Sequence, residues 1–241
     1  MTGSQIVTVL LLAAGATGVA LLQPRLAQAA HAAGEREDVY ALPPPAQLHA
    51  ATLGWDAAAV DLLWSTLLVQ YGTHWSEHHE FTDTPRYADA ILELEPSYRP
   101  LYKYIDTMLV YRPLRGTADD ARMARAYLER GTREMPTDAI LWLNLGEFEA
   151  FMGPSYISDP DEQAAWRREG AVNIGHAVEL GALPERALTA ASLLTEAGQC
   201  AVAMHYLERA YAMTEHPSMA EQHARIGLKL EQLRNNCPSA P

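Results

Sequence analysis

His74 and His78 stand four residues apart in the segment HWSEHHE at 74–80. On a helix that spacing turns both imidazoles toward one ion, with Glu77 or Glu80 as a further ligand. The order is not His-Glu-x-x-His, because the glutamate stands third between the two histidines rather than beside the first. Two readings compete: a metal-binding or catalytic centre built on 74–80, or a hydrated polar loop between helices. Covalent chemistry finds no support elsewhere. The chain has no Gly-x-Ser-x-Gly elbow, neither cysteine sits beside a histidine that would lower its pKa, and no Gly-rich phosphate loop occurs. The expectation is a protein without catalytic residues or cofactor.

Cys200 falls inside a predicted helix and Cys237 in the C-terminal tail. Two thiols cannot build a disulfide framework or a four-thiolate zinc site. Two free thiols are the simpler expectation. One bridge is the alternative, and it requires an extracytoplasmic domain and a tail that folds back to bring the Cα atoms within about 4.4–6.8 Å.

A chain of 241 residues with 49% hydrophobic and 20% charged residues suits one folded domain plus an appendage. The formal charge of -12 argues against nucleic acid as a main partner, since phosphate binding needs clustered Lys and Arg. The appendage is N-terminal. Residues 6–22 (IVTVLLLAAGATGVALL), from Ile6 to Leu22, carry no charge. As a helix they come close to the roughly 30 Å hydrocarbon core of a bilayer. An uncleaved anchor competes with a cleaved signal peptide, whose small-x-small pattern occurs at Ala27-Gln28-Ala29 and Ala30-His31-Ala32. Gly15 and Gly18 would also let such a helix pack closely in a larger membrane complex. Residues 33–45 turn charged and then Pro-rich, as in a linker. The expected organisation is an anchor or signal at 1–32, a linker at 33–45 and a helical domain at 46–241.

From 45 onward, apolar residues recur at spacings of three and four between short Pro, Gly, Asp and Ser breaks, so the domain is expected to be all-α. A first helix is predicted over 45–71, ended by Gly72. A second opens at Thr84-Pro85, with Thr84 as N-cap, and closes before Pro96. Further helices are predicted over 98–111, 118–134, about 162–180 and 218–235, with a hairpin over 184–214. The breaks at 111–116 and 153–161 stretch the pattern.

Leu92-Glu93-Leu94-Glu95-Pro96 and Trp142-Leu143-Asn144-Leu145-Gly146 carry a resemblance to tetratricopeptide-repeat proteins. With Pro136 at consensus position 32, Trp142, Leu145 and Gly146 fall on positions 4, 7 and 8. Ala124, Leu128 and Gly131 take positions 20, 24 and 27 of one repeat; Gly198, Ala203, Leu207 and Ala210 take 15, 20, 24 and 27 of another. The resemblance implies a solenoid of about four helical hairpins plus a capping helix over roughly 80–235. It also implies a concave face where the first helix of each hairpin meets a ligand peptide. The residues so placed are Lys103, Thr107 and Tyr111, then Leu143, Glu147 and Phe151, then Ser192, Thr195 and Glu196. The carboxylate clamp of the chaperone-binding members is not matched: Lys103 and Asn144 fit it, but Thr107, Glu185 and Thr189 do not. An apolar N-terminal segment followed by such repeats resembles membrane-tethered repeat proteins of bacterial envelopes. The functional expectation is a non-catalytic protein-interaction scaffold, assembly factor or complex subunit, membrane-associated with a periplasmic domain, or secreted or periplasmic after signal cleavage.

Overall fold

The structure, a computed structural model, describes residues 42–111 and 116–237. The apolar run at 6–22, the signal-like sites, Gly15, Gly18 and most of the linker lie outside the described residues. The helical unit begins at Pro44.

Among the described residues the chain is helical throughout, with ten α-helices and no strand. They are α1 (Pro45–Thr52), α2 (Asp56–Glu77), α3 (Thr84–Leu94), α4 (Arg99–Val110), α5 (Ala118–Glu134), α6 (Ala139–Glu147), α7 (Pro160–Glu179), α8 (Arg186–Glu196), α9 (Cys200–Met213) and α10 (Ala220–Asn236). A π-helical turn, Phe148–Met152, extends α6, and 3-10 turns cover Gly153–Ser155 and Pro217–Met219. Each helix packs on its sequence neighbour, and α1 on α3, α4 on α6 and α7 on α9 add contacts between alternate helices.

Local chemistry explains most of the boundaries. Thr117 and Asp120 form a reciprocal capping box that starts α5, and the Asp138 carboxylate accepts from the Ile140 and Leu141 amides at the start of α6. Asp159 caps α7, with Pro160 at its first position. Gly198 ends α8 at φ +75°, where the Gln199 amide reaches back to the Leu194 carbonyl at 2.7 Å.

Three predicted boundaries need correction. The helix predicted over 45–71 is broken at Leu53-Gly54, both at positive φ, and α2 then runs through Gly72 to Glu77. Gly72 therefore caps nothing. Thr84 is not an N-cap: α3 begins at Thr84 itself, the preceding Asp83 makes no side-chain cap, and the Thr84 side chain is buried. The stretch at 153–161 contains the 3-10 turn and the first residues of α7 rather than a simple loop.

The two cysteines pair. Cys200 opens α9 and Cys237 follows α10, with Cα atoms 6.0 Å apart. The free-thiol expectation fails because α10 folds back on α9, burying Ile226, Leu230 and Leu233 against Ala203, Leu207 and Ala210, and so delivers the tail to the start of α9.

Most of the residues expected at repeat positions lie in the core, whereas Gly198 is exposed. Ala124, Ala203 and Ala210 are fully buried, and Gly131, Leu145 and Gly146 are buried. Trp142 is half-buried: its indole N–H donates to the Pro136 carbonyl at 2.9 Å and its ring meets His176 edge-on at 4.6 Å. Forty residues earlier the Tyr102 hydroxyl makes the same bond to the Pro96 carbonyl at 2.8 Å. In both places an aromatic side chain six residues past a proline locks the entry to a helix. Burial pushes the Tyr102 phenol up to about 12, so the hydroxyl stays a donor at neutral pH.

Candidate functional site

Charged residues of α5 recur every four positions at Arg125, Glu129 and Arg133, which brings them to one face of the helix. That face borders a groove of about 510 Å³ between α5 and α7. Thr132 completes the α5 wall, and Arg168, Glu169, Val172 and Asn173 form the α7 wall. Trp142, Leu145 and Glu149 line it from α6 and its π-helical extension, and Gln199 contributes from the turn before α9. Arg122 and Glu162 tie the two walls together by a two-pronged pair at 3.0 and 2.8 Å.

Arg125 is the hub. Its guanidinium pairs with Glu149 at 2.9 Å, with Glu129 at 2.8 Å and with Glu169, and lies 4.9 Å over the Trp166 ring. One cation thus faces three carboxylates. Glu149 is the buried one, its side chain only 1% exposed, and Asn173 donates to its other oxygen at 2.6 Å. Burial pushes the Glu149 carboxyl up to about 7, with Arg125 and Asn173 opposing and Glu169 and Glu129 reinforcing the rise. Arg168 makes no ion pair among the described residues and is exposed.

The π-helical turn places Glu149 there. Gly146 and Gly170 let α6 and α7 approach to backbone contact, so that Gly170 lies against the peptide joining Glu149 to Ala150. The Glu149 carboxylate is buried beside that contact, bonded to Arg125 and Asn173.

A folded-state pKa above the ordinary carboxylate value means that the native protein binds more protons than the unfolded chain between about 4.5 and 7. Glu149 therefore favours folding at low pH, and its contribution fades as pH rises through 7. Glu149→Gln is expected to stabilise the protein by about 2 kcal/mol at pH 8 and to change little at pH 4.5. Urea unfolding of both proteins at the two pH values checks this; an equal difference at both would mean that Glu149 stays charged.

None of the nine residues expected to meet a partner lines this groove. Leu143 is 8% exposed and belongs to the core with Ala150 and Ile174, so it offers no surface. Glu147 pairs with Arg186 of α8 at 2.7 Å. The Thr195 hydroxyl donates to the Ala191 carbonyl, and Lys103 lies 5.5 Å over the neighbouring Tyr104 ring. Thr107, Tyr111 and Phe151 are exposed and Ser192 is half-buried. Glu196 is exposed, and among the described residues no hydrogen bond or ion pair joins any two of the nine. The structure brings together Trp142 and Leu145, expected only as packing residues, with charges that the repeat register had left unassigned.

The histidine segment divides. His74 sits in the last turn of α2, donates to the Gln70 carbonyl at 2.8 Å and packs on Phe81, ring centres 4.9 Å apart. His78 ends the helix at φ +59°, and the His79 amide beyond it bonds back to the His74 carbonyl. That left-handed position is where glycine normally stands. Among the described residues no group of three or more His, Cys, Asp or Glu is arranged to hold a metal ion. His78→Gly is expected to raise stability by about 0.5 to 1 kcal/mol by relieving the backbone, a gain that thermal melting would register. A loss would show that the bond from the imidazole to the Ser76 carbonyl, 3.3 Å long, outweighs the backbone strain.

Among the described residues no helix is long and apolar enough to cross a membrane. No family model, curated protein or solved structure matches the chain.

Proposed function

We propose that this chain is a non-catalytic interaction protein of the bacterial envelope, a scaffold, assembly factor or subunit of a membrane complex, tethered or exported by residues 6–22. In this reading the helices are a stretched tetratricopeptide-like array, and the partner is gripped in the groove between α5 and α7 rather than on the face lined by Lys103 and Glu147. The observation that carries it is the groove itself. It offers Arg168, exposed and without an ion pair among the described residues, the carboxylate of Glu169, and apolar surface from Val172 and Trp142, over a network centred on Arg125. Such a mixture suits a peptide segment with one acidic group for Arg168 and an apolar side chain beside Val172.

Two further observations agree. The recurrence of the proline-to-aromatic hydrogen bond at Tyr102 and Trp142 fits a repeat of about 40 residues. The Cys200–Cys237 bridge fits an oxidising compartment such as the periplasm.

Arg168 and Val172 are surface positions on α7, so Arg168→Glu with Val172→Glu should leave the fold intact. The expected result is that tagged full-length protein extracted in detergent retains a stoichiometric partner and the double variant loses it at unchanged circular dichroism. A wild-type chain that purifies alone, or a variant that keeps the partner, would refute the reading.

A further inference from the structure

The longest helix among the described residues, α2, presents a face that none of the described residues covers. Trp55 just before it, then Leu62 and Val69, are 74%, 67% and 64% exposed at intervals of seven residues. Between them, also at intervals of seven, come Ala58, Ser65 and Gly72, all exposed. Alternating steps of three and four are the seam of a left-handed helix pair. The flanking positions 57, 61, 68, 73 and 76 are exposed as well, so a second helix has room to lie along the seam.

Two features of this face have no explanation among the described residues. A β-carbon added at Gly72 would meet nothing within 4 Å, so no neighbour requires the glycine, and glycine in mid-helix weakens it. The opposite excess, a tryptophan and two branched aliphatic side chains in solvent, recurs at fixed register. A helix apolar on both its inner and outer sides is a helix buried on both.

From this juxtaposition we infer that the protein forms a two-fold dimer through antiparallel packing of α2 against α2 of a second copy. The register follows from size. With the axis between Leu63 and Trp64, Trp55 falls opposite Gly72 of the second copy, Leu62 opposite Ser65 and Val69 opposite Ala58, so that each large side chain meets a small one and the largest meets none. A face complementary to itself in one antiparallel register is what a closed two-fold interface requires. Electrostatics agree: antiparallel helix dipoles attract, and the seam itself carries no charge. Asp56 falls across from Tyr71, and Asp61 across from Thr66 and Leu68. The two Asp61 carboxylates come no nearer than about 10 Å, roughly one Debye length at physiological salt.

The test uses the full chain in detergent micelles. Light scattering is expected to give a protein mass of two chains at tens of micromolar protein. Gly72→Leu fills the pocket for Trp55 and Leu62→Glu charges the seam, and each is expected to give the mass of one chain. Gly72→Leu should do so with unchanged or higher melting temperature, a combination that misfolding cannot produce. Mixing Ala58→Cys with Val69→Cys protein under mild oxidation should cross-link the two, whereas neither alone should, since like positions sit about 16 Å apart along the axis. A single-chain mass for the wild type, cross-linking of either variant with itself, or α2 inserting as a monomer into vesicles of neutral phospholipid would each overturn the inference.

Discussion

Gly170→Ala is expected to cost about 3 kcal/mol or more, the upper end of what overpacking does to a core. The new methyl carbon would lie 2.5 Å from the Ala150 amide nitrogen, 2.6 Å from the Gly146 carbonyl oxygen and 3.0 Å from the Glu149 carbonyl carbon. All three are backbone atoms, so no side chain can swing aside, and α7 must move off α6. Gly146 is confined in the same way by the Ile174 amide nitrogen at 2.7 Å and the Gly170 carbonyl oxygen at 2.8 Å. Moving the helices apart also displaces the π-helical turn that carries Glu149. Whatever fraction of Gly170→Ala folds should admit water to that carboxylate and bring its titration down from about 7 toward the ordinary range. Urea unfolding gives the first quantity, and the pH dependence of folding the second. A Gly170→Ala protein within 1 kcal/mol of the wild type would show that the contact between α6 and α7 is looser than described.

Helix identity was legible in this sequence because the signals are local. The Thr117–Asp120 capping box and the Asp138 and Asp159 caps sit next to the residues they organise, and α5 begins and ends where the pattern places it. The break at Leu53 was not legible. Leucine seldom takes a left-handed backbone, and only Gly54 beside it hinted at a turn. Gly72 misled for the converse reason: it looks like a helix stop, but the chain keeps it in mid-helix, on the face inferred to meet a second copy.

The groove was harder to find because its residues come from α5, α6 with its extension, and α7, and the repeat register directs attention to the other side of α6. One clue was nevertheless present. Aligning Pro96 with Pro136 places Glu149 where the preceding stretch has Leu109, a fully buried residue. A carboxylate on a core position calls for a buried counter-charge, and the four-residue spacing of Arg125, Glu129 and Arg133 on the adjacent helix supplies it. Without coordinates the pairing of Arg125 rather than Arg133 with Glu149 could not be chosen.

Reduction of the Cys200–Cys237 bridge is expected to destabilise the protein by roughly 3 to 4 kcal/mol on the chain-entropy estimate for a closed loop of this length, 37 residues in separation. The effect should be localised before it is global. α10 is the last helix and packs chiefly on α9, through Ile226, Leu230 and Leu233 on Ala203, Leu207 and Ala210. The exposed Arg234–Glu208 pair at 3.0 Å adds little to that contact. Without the bridge, α10 can lift away as a unit while the Arg125 network and the contact of α6 with α7 persist. Hydrogen exchange should therefore quicken across 220–236 under reductant or in Cys200→Ser with Cys237→Ser, with the amides of α5 and α7 still protected, and melting should fall in temperature. Equal melting temperatures with and without reductant would mean that side-chain packing alone holds α10. If α5 lost protection together with α10, the domain would be one cooperative unit, and the groove would share in the protection the disulfide gives.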